Sequence, residues 1–159
     1  MSLLRLKQAP LKMTGSQKRE VRTQFGALCY RVHNEETQVL LITSRTRGRW
    51  IIPKGWPVEG ATPAEAAATE AYEEAGVSGK TFNICLGLYS YTKMMAGDDM
   101  DLPCAVSVFP VKVKKVLRDY PEKAERKRKW FSIKKAAGKV REPELRKILK
   151  HFDPSLLER

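Results

Sequence analysis

The feature that most constrains how this chain can fold is one short segment that carries signals for both ends of a helix. Thr62 precedes Pro63, and Glu65 follows Thr62 by three residues. Such a threonine and glutamate form a capping box, in which each side chain accepts a hydrogen bond from the other residue's backbone N–H. Proline is favoured at the first helical position, and Gly76 supplies a left-handed C-terminal stop. The sequence therefore predicts one helix from Pro63 to Ala75.

This helix is predicted to carry an alanine stripe and a glutamate stripe side by side. The alanines are Ala64, Ala67, Ala68, Ala71 and Ala75. They recur every three, four or seven residues, so they share one face and allow the helix to lie close to a sheet. Glu70, Glu73 and Glu74 form the second stripe, because residues three and four apart face the same way.

The glutamate stripe costs helix stability unless a cation lies among the carboxylates. Like charges at this spacing destabilise a helix by about 0.2–0.5 kcal/mol per pair. Clustered carboxylates, completed by backbone oxygen, water and substrate phosphates, are the ligands that Mg²⁺ or Mn²⁺ prefers. A solvated acidic face is the alternative, and on an arbitrary helix it is the commoner one. The helix alone leaves both interpretations open.

The loop before the helix favours the metal site, because its spacing resembles the Nudix hydrolase motif. That motif reads Gly, five residues, Glu, seven residues, Arg-Glu, an apolar residue, any residue, Glu-Glu, any residue, Gly and an apolar residue. The chain matches it with Gly55, Glu70, Ala71, Glu73, Glu74, Gly76 and Val77. A spacing this long is specific, so the chain is identified as a member of the family.

Two residues of the motif are replaced in this chain. Ala61 stands where the family has its first Glu, and Thr69 where it has its Arg. In the family this pair is understood to brace the loop against the helix. Because both partners are absent together, no charge is left unpaired. We expect packing by Trp56 and Pro57 to replace the brace while the metal-binding stripe is kept. A weakened or inactive enzyme is the competing expectation.

The resemblance implies a divalent metal site, with Mg²⁺ as the cofactor and Mn²⁺ as its substitute. It assigns Glu73 and Glu74 as ligands, with the Gly55 carbonyl and Glu70 beside them. Glu70 is also the candidate catalytic residue, which accepts a proton from a metal-activated water. Members of the family often use a further acidic residue from a later segment. The candidates in this chain are Asp98, Asp99, Asp101, Glu122 and Glu125.

Basic residues on both sides of the motif are candidates to bind substrate phosphates. They are Arg45, Arg47, Arg49 and Lys54 before the helix, and Arg126 and Arg128 in the later segment "ERKRKWF". Charge-assisted hydrogen bonds from such side chains suit phosphate oxygens. A solvated basic surface is the alternative. Trp50 and Trp56 are candidates to line the cleft or stack on a base, whereas Trp130 and Phe131 are expected in the core.

Segments rich in strand-forming residues surround the helix. Residues 23–32 and 39–43 are predicted to form a hairpin. Further strands are predicted over residues 50–53, 81–95, 102–113 and 129–133, and helices over residues 134–140 and 142–152. Strands and helices that mix without regular alternation favour an α/β fold with a mixed sheet. The resemblance, which extends over most of the chain from Arg19 to Phe152, implies a Nudix-type α/β/α sandwich with a mixed β-sheet.

Length and charge bound the organisation of the chain and its partners. Its 159 residues suggest a single domain over residues 19–159, preceded by a basic, flexible arm over residues 1–18. The net charge of +12 predicts polyanionic partners.

Nothing resembles a membrane span, which needs about 18 apolar residues in a row. Cys29, Cys85 and Cys104 show no pairing pattern, which favours the reducing cytoplasm. The oligomeric state is left open.

The order of several segments narrows the expected function. They are "ALCYR", "VLLITSR", "RWIIPKGW", "EAYEEAGVSG" and "RKRKWF". This order is similar to the diphosphoinositol and diadenosine polyphosphate hydrolases, a branch of the Nudix family. The expected function is a Mg²⁺-dependent hydrolase that cleaves a phosphoanhydride bond in a nucleoside-diphosphate-linked or highly phosphorylated small molecule. The alternative is a catalytically weak or inactive Nudix-fold module that binds RNA or nucleotides, since so basic a chain binds nucleic acid at least nonspecifically.

Overall fold

The structure is a computed structural model that describes residues 21–93 and 102–158. The strands in these ranges are β1 (Arg22–His33), β2 (Glu36–Thr43), β3 (Trp50–Ile51), β4 (Lys54–Gly55), β5 (Val77–Thr81), β6 (Gly87–Lys93), β7 (Leu102–Val116) and β8 (Arg128–Ser132). The helices are α1 (Pro63–Ala75), α2 (Ile133–Lys139) and α3 (Pro143–His151), followed by the 3-10 helix Pro154–Leu156. The predicted basic arm and the acidic residues 98–101 lie outside the described residues.

The strands form one mixed sheet, which confirms the predicted fold class. The main order is β3-β2-β1-β7-β5, while β4 also pairs with β1, β6 with β7, and β8 with β2. Strands β1 and β7 run parallel, with Arg22 opposite Cys104 and Tyr30 opposite Lys112. Each of the other pairs is antiparallel. The predicted hairpin is the β1–β2 pair.

Helices cover both faces of the sheet and so complete the α/β/α sandwich. Successive strand residues point to opposite faces, and β1 shows this directly. Cys29 packs in a core layer with α1, where Ala71 is fully buried. Tyr30 packs in the other layer with α2 and α3, where Leu145 is fully buried. Within the described chain, no helix is long and apolar enough to cross a membrane.

Helix α1 begins and ends where the sequence predicts, but its buried face is rotated. The Thr62–Glu65 capping box is present, and Gly76 ends the helix at φ 66°. The buried residues are Ala64, Ala66, Ala67, Ala71, Glu74 and Ala75. Ala68, which was predicted in the alanine stripe, is partly exposed. The reason is that the buried face extends toward the glutamate stripe and takes in Ala66 and Glu74 instead.

The strand predicted over residues 81–95 is wrong in its extent. Strand β5 ends at Thr81, and β6 begins only at Gly87 after a stretch without strand pairing. Strand β5 itself has the sequence "VSGKT", and only its first residue is buried. Its place in the sheet comes from pairing with the long strand β7. Such an edge strand has little hydrophobic alternation for sequence patterns to detect.

Candidate functional site

The helix, the hairpin and the later strands together enclose a cleft of about 540 Å³. The predicted residues that line it are Arg45, Arg47, Arg49, Lys54, Glu74 and Arg126. These residues come from four separate segments: the β2–β3 loop, β4, α1 and the turn before β8. The fold therefore brings most of the predicted phosphate-binding residues to one place, next to one predicted metal ligand.

The three arginines before β3 lie on a short closed loop. The Ser44 N–H donates to the Arg49 carbonyl at 2.7 Å, and the Arg49 N–H donates to the Ser44 hydroxyl at 3.0 Å. Arg45 and Arg47 project from this loop, and all three arginines are exposed. The loop thus presents cationic side chains at the rim of the cleft without burying them.

Gly55 and Glu70 lie in direct contact at the base of the motif. Strand β4 pairs with β1 through Gly55 and Phe25. A Cβ atom added to Gly55 would collide with the Glu70 carboxylate. Glycine therefore allows β4 to pass this close to α1 without displacing the Glu70 side chain. A backbone segment and a carboxylate of the predicted metal site are consequently neighbours.

Glu74 is a buried carboxylate whose partners come from both sides of the cleft. Its side chain accepts a hydrogen bond from the Lys54 backbone N–H at 3.3 Å and lies 3.7 Å from the Arg126 guanidinium. Arg126 is itself held by the Glu122 carboxylate at 3.0 Å and the Thr43 carbonyl at 3.1 Å. Only 8% of Glu74 is exposed. A solvated acidic face is therefore excluded for this residue.

The acidic pair, Glu70 and Glu74, holds a proton more tightly than ordinary carboxylates. Burial raises the pKa of Glu70 to about 8, with further repulsion from Glu74, Glu73 and Glu122. Burial also raises the pKa of Glu74, although the Arg126 charge opposes this. The two carboxylates lie close enough to share a proton. The pKa of neighbouring carboxylates rises in this way when no cation lies between them.

The donor set of this region fits a hard divalent cation. Carboxylate oxygens of Glu70 and Glu74 lie together next to the Gly55 backbone, and oxygen ligands are those that Mg²⁺ prefers. Within the described ranges, no three His, Cys, Asp or Glu side chains are already arranged to hold a metal ion. The Arg126 guanidinium, 3.7 Å from Glu74, offsets part of the negative charge of the acidic pair. Glu73 lies at the edge of this region and is half-buried.

Lys54 lies deep in the cleft under an aromatic ring. Its ammonium nitrogen is 4.7 Å from the centre of the Tyr91 ring. Burial lowers the pKa of Lys54, and the charges of Glu74 and Glu142 oppose this shift. The Tyr91 hydroxyl donates to the side-chain oxygen of Gln24. Side-chain contacts therefore hold this inner wall, whereas the loop with Arg45, Arg47 and Arg49, the arginine loop, is exposed.

Several cleft residues were not predicted from the sequence. They are Gln24, Tyr91, Lys93, Arg141 and Glu142. Tyr91 and Lys93 share one face of β6 because strand residues alternate. The alternation can be recognised in the sequence. The sequence does not indicate, however, which strand β6 pairs with, so it does not show which face of β6 lines the cleft. Arg141 and Glu142 lie just before α3, and their sequence carries no recognised motif.

The structure places Arg128 away from the cleft, unlike the other predicted phosphate ligands. Its guanidinium donates to the carbonyls of Ala75 at 2.8 Å, Gly76 at 3.2 Å and Leu117 at 2.6 Å. It also lies 4.7 Å above the Tyr120 ring. A cation at this place satisfies the carbonyls at the end of α1. Arg128 therefore stabilises the helix end, and we leave it out of the proposed substrate site.

The expected replacement of the missing Glu–Arg brace is wrong for Trp56. Its side chain is 37% exposed, and Lys93 lies 5.3 Å from its ring. The loop is held instead by the capping box and by a hydrogen bond from the Ala61 N–H to the Val58 carbonyl at 3.1 Å. Thr69 donates to the Glu65 carbonyl within the helix at 3.0 Å.

Three other predictions concern aromatic and acidic side chains. Trp50 packs edge-on against Phe131, with ring centres 5.0 Å apart, so it belongs to the core layer and does not line the cleft. Glu125 forms an exposed ion pair with Arg45 at 3.3 Å. Glu122 is the described candidate whose charge reaches Glu70. Of the predicted acidic candidates, Glu122 and Glu125 are described, and only Glu122 is near enough to act on Glu70, whereas Asp98, Asp99 and Asp101 lie outside the described residues.

Comparison with known proteins places this geometry in a family. The NUDIX domain model matches residues 22–152. Nudix hydrolase 12, mitochondrial, of Arabidopsis thaliana is 34% identical over 117 residues, which cover 72% of this chain and 58% of that protein. Diphosphoinositol polyphosphate phosphohydrolase 2 of Rattus norvegicus is 32% identical over 117 residues, covering 72% of this chain and 60% of that protein. The chain thus spans about three fifths of the length of these relatives.

Solved structures agree with the fold. An Ap4A hydrolase of C. elegans in a binary complex superposes with a TM-score of 0.62 at 20% identity, covering 86% of this chain and 98% of that one. A NUDIX hydrolase from Nitrosomonas europaea also gives a TM-score of 0.62, with 82% and 87% covered. The family model spans most of the chain and the sequence relatives exceed 30% identity. The chain therefore belongs to the NUDIX domain family.

Proposed function

We propose that the chain is a Mg²⁺-dependent hydrolase that cleaves a phosphoanhydride bond in a nucleoside-diphosphate-linked or highly phosphorylated small molecule. Dinucleoside polyphosphates and diphosphoinositol polyphosphates are the favoured substrates. The observation that carries this proposal is the acidic pair beside Gly55, in which Glu74 is buried and Glu70 half-buried, next to a cleft that the arginine loop rims with positive charge. Names of relatives and structural neighbours, which refer to diphosphoinositol polyphosphates and to Ap4A, support the choice of substrates.

The acidic side would hold the metal ion. Glu70, Glu73, Glu74 and the Gly55 carbonyl are its proposed ligands, and Mn²⁺ is a substitute for Mg²⁺. When bound, such an ion neutralises phosphate charge and supplies an activated water. Glu70 is the proposed catalytic base, because its carboxylate lies against Gly55 and so beside the place where the ion and its activated water would be held. Glu74 keeps its place through Lys54 and Arg126.

The cationic side would bind the phosphates. Arg45, Arg47 and Arg49 are exposed at the rim, where an incoming anion meets them first. Lys54 lies deeper, next to Glu74. Positive charge in a cleft raises the local concentration of an anionic substrate and speeds its association. Arg126 is a positioning residue in this proposal, since the protein's own carboxylates occupy its guanidinium.

A catalytically weak module that binds RNA or nucleotides is the second candidate. Two observations favour it: Ala61 and Thr69 replace the Glu and Arg of the motif, and the net charge is +12. Nucleic acid bound through such charge would dissociate steeply as salt is raised. Turnover by the acidic pair decides between the two candidates.

The test measures phosphate release from diadenosine polyphosphates, diphosphoinositol polyphosphates, ADP-ribose and nucleoside triphosphates with Mg²⁺ or Mn²⁺. We expect turnover of at least one favoured class, and a loss of about 100-fold or more in Glu73→Gln and Glu74→Gln, since even residues behind the metal ligands are worth about 10–100-fold. Glu59→Gln, on the exposed loop, is the matched control. Turnover that survives both ligand substitutions contradicts the proposal. No turnover together with salt-sensitive RNA binding favours the module.

The proposed compartment is the cytoplasm. Cys29, Cys85 and Cys104 are unpaired and buried, as expected for a protein in a reducing compartment. Two plant relatives carry the word mitochondrial in their names. Microscopy of the full-length protein with a C-terminal tag tests this proposal, and a purely mitochondrial signal would contradict it.

A further inference from the structure

Glu142 places an unused hydrogen-bond acceptor in the cleft. It lies at the N-cap of α3, where its side chain makes no capping hydrogen bond. Its Oε1 atom is buried and has no hydrogen-bond partner among the described residues. Buried polar atoms of native proteins nearly always have a partner. A carboxylate with an unpartnered oxygen, on a residue that lines the cleft, therefore points to a ligand or to ordered water.

The cations around the cleft do not serve as its partner. The described ion pairs that include cleft residues join Arg45 with Glu125 and Arg126 with Glu74 and Glu122. Lys54 carries a charge that interacts with Glu142, but its ammonium group lies over the Tyr91 ring instead. Of the two described carboxylates that line the cleft, Glu74 is paired with Arg126, whereas Glu142 has no ion pair among the described residues.

The chemistry of a carboxylate defines what can bind to it. An ionised carboxylate only accepts hydrogen bonds, so its partner must be a donor such as a hydroxyl or an amino group. An ionised phosphate offers no donor and is repelled by the like charge. A cleft with cations at its rim and an acceptor inside is suited to a ligand that combines phosphates with a donor-bearing organic part.

We propose that Glu142 is a specificity-determining residue that accepts a hydrogen bond from a hydroxyl or amino group on the organic part of the substrate. It thereby selects against ligands that place a phosphate at this position. This inference rests on the proposed function and narrows it. A nucleoside supplies ribose hydroxyls and, in adenine, an amino group, whereas the ring of a diphosphoinositol polyphosphate presents phosphates. Glu142 therefore favours the dinucleoside class.

The experiment compares ligands that share phosphates but differ in donors, in the absence of metal so that no turnover interferes. Dissociation constants are measured by calorimetry for diadenosine tetraphosphate, inorganic tetraphosphate and diphosphoinositol pentakisphosphate. The variants are Glu142→Ala and Glu142→Gln, with Glu36→Gln as the control on an exposed strand end. Thermal unfolding checks that each variant is folded. Glu142→Gln keeps one carbonyl acceptor and the side-chain volume, so it remains informative if Glu142→Ala does not fold.

Glu142→Ala is expected to weaken the binding of diadenosine tetraphosphate by about 10- to 100-fold, because this is the usual effect of losing a hydrogen bond to a charged group. The two fully anionic ligands should bind equally well or more tightly, and Glu142→Gln should show a smaller loss. Diinosine tetraphosphate, which lacks the amino group, distinguishes an amino donor from a hydroxyl donor. Equal changes for all ligands, or no change for any, would overturn the inference. Selective binding of diadenosine tetraphosphate by a wild-type protein that shows no turnover would contradict the proposed function but not the inference about Glu142.

Discussion

The acidic pair and the arginine loop face the same cleft but differ in how the protein supports them. Glu74 is buried and bound by groups from two other segments, Lys54 and Arg126. Arg45, Arg47 and the rest of the arginine loop are exposed, and the loop is closed by its own backbone and by Ser44. Buried charges require fixed partners, whereas exposed charges are stabilised by water. Substitutions around the acidic pair should therefore lower the stability of the protein. Substitutions in the arginine loop should change only the binding of substrate.

The largest expected effect is the difference in stability lost when each of two ion pairs of the cleft is broken. In the buried pair, Arg126 and Glu74 side chains are 7% and 10% exposed. Arg126→Ala is expected to lower the free energy of unfolding by about 3–5 kcal/mol, because it leaves buried carboxylates without their cation. Arg45→Ala, which removes the exposed pair with Glu125, should cost less than about 1 kcal/mol. Urea unfolding of both variants measures the contrast, and equal losses would contradict it.

A second substitution separates activity from stability at the acidic pair. In Gly55→Ala the added Cβ collides with the Glu70 side chain, which is flexible enough to move aside. We expect turnover to fall by about 10- to 100-fold, because misplacing a catalytic group by about 1 Å costs this much. Stability should change by less than about 1.5 kcal/mol.

The matched control for Gly55→Ala is Gly138→Ala. Gly138 lies within α2, and a Cβ there meets nothing within 4 Å. This control should leave turnover unchanged and stabilise the protein by up to about 1 kcal/mol, since alanine is the better helix former. Wild-type turnover in Gly55→Ala would show that the position of Glu70 does not matter.

The metal-free protein should lose stability as pH rises. The folded-state pKa of Glu70 is raised to about 8, so the folded protein binds this proton more tightly than the unfolded chain does. Its contribution is complete below the ordinary carboxylate pKa, falls as pH rises above that value, and is lost as pH passes about 8. Melting temperatures of the wild type and Glu70→Gln between pH 5 and pH 9, a range chosen to bracket this shift, measure the effect.

Glu70→Gln serves as the comparison in that experiment because it cannot titrate. Its melting temperature should depend less on pH over the same range, and the two curves should separate at high pH. Parallel curves would mean that the acidic pair does not hold the extra proton. Added Mg²⁺ should raise the wild-type melting temperature most at high pH, where the proton no longer competes for the carboxylates.

The smallest expected effect is on the arginine loop. Arg47 is exposed and lines the cleft. Arg47→Ala should raise KM by about 2- to 5-fold without changing stability, as an exposed charge contributes up to about 1 kcal/mol. Steady-state kinetics at low and high salt measure this effect, which should shrink as salt rises. Lys150→Ala, exposed on α3, is the control, and an equal change in KM there would indicate only a general effect of net charge.

Local signals in the sequence were sufficient for α1 but not for the whole site. The capping box and Gly76 define both ends of the helix, because a cap is a contact between residues close in the chain. The role of Arg128 was missed, since its carbonyl partners lie 11 to 53 residues away. The break between β5 and β6 was missed because pairing with β7 determines it. Glu142 carries no local pattern, and only the fold brings it into the cleft.

Anomalous diffraction from crystals soaked in Mn²⁺ tests most directly whether a divalent cation binds at the acidic pair. We predict an anomalous peak within coordination distance of Glu70, Glu73, Glu74 and the Gly55 carbonyl, with Glu74 turned from Arg126 toward the ion. An absent peak, with Glu70 still beside Glu74 and Arg126 still paired with Glu74, would contradict the proposed metal site.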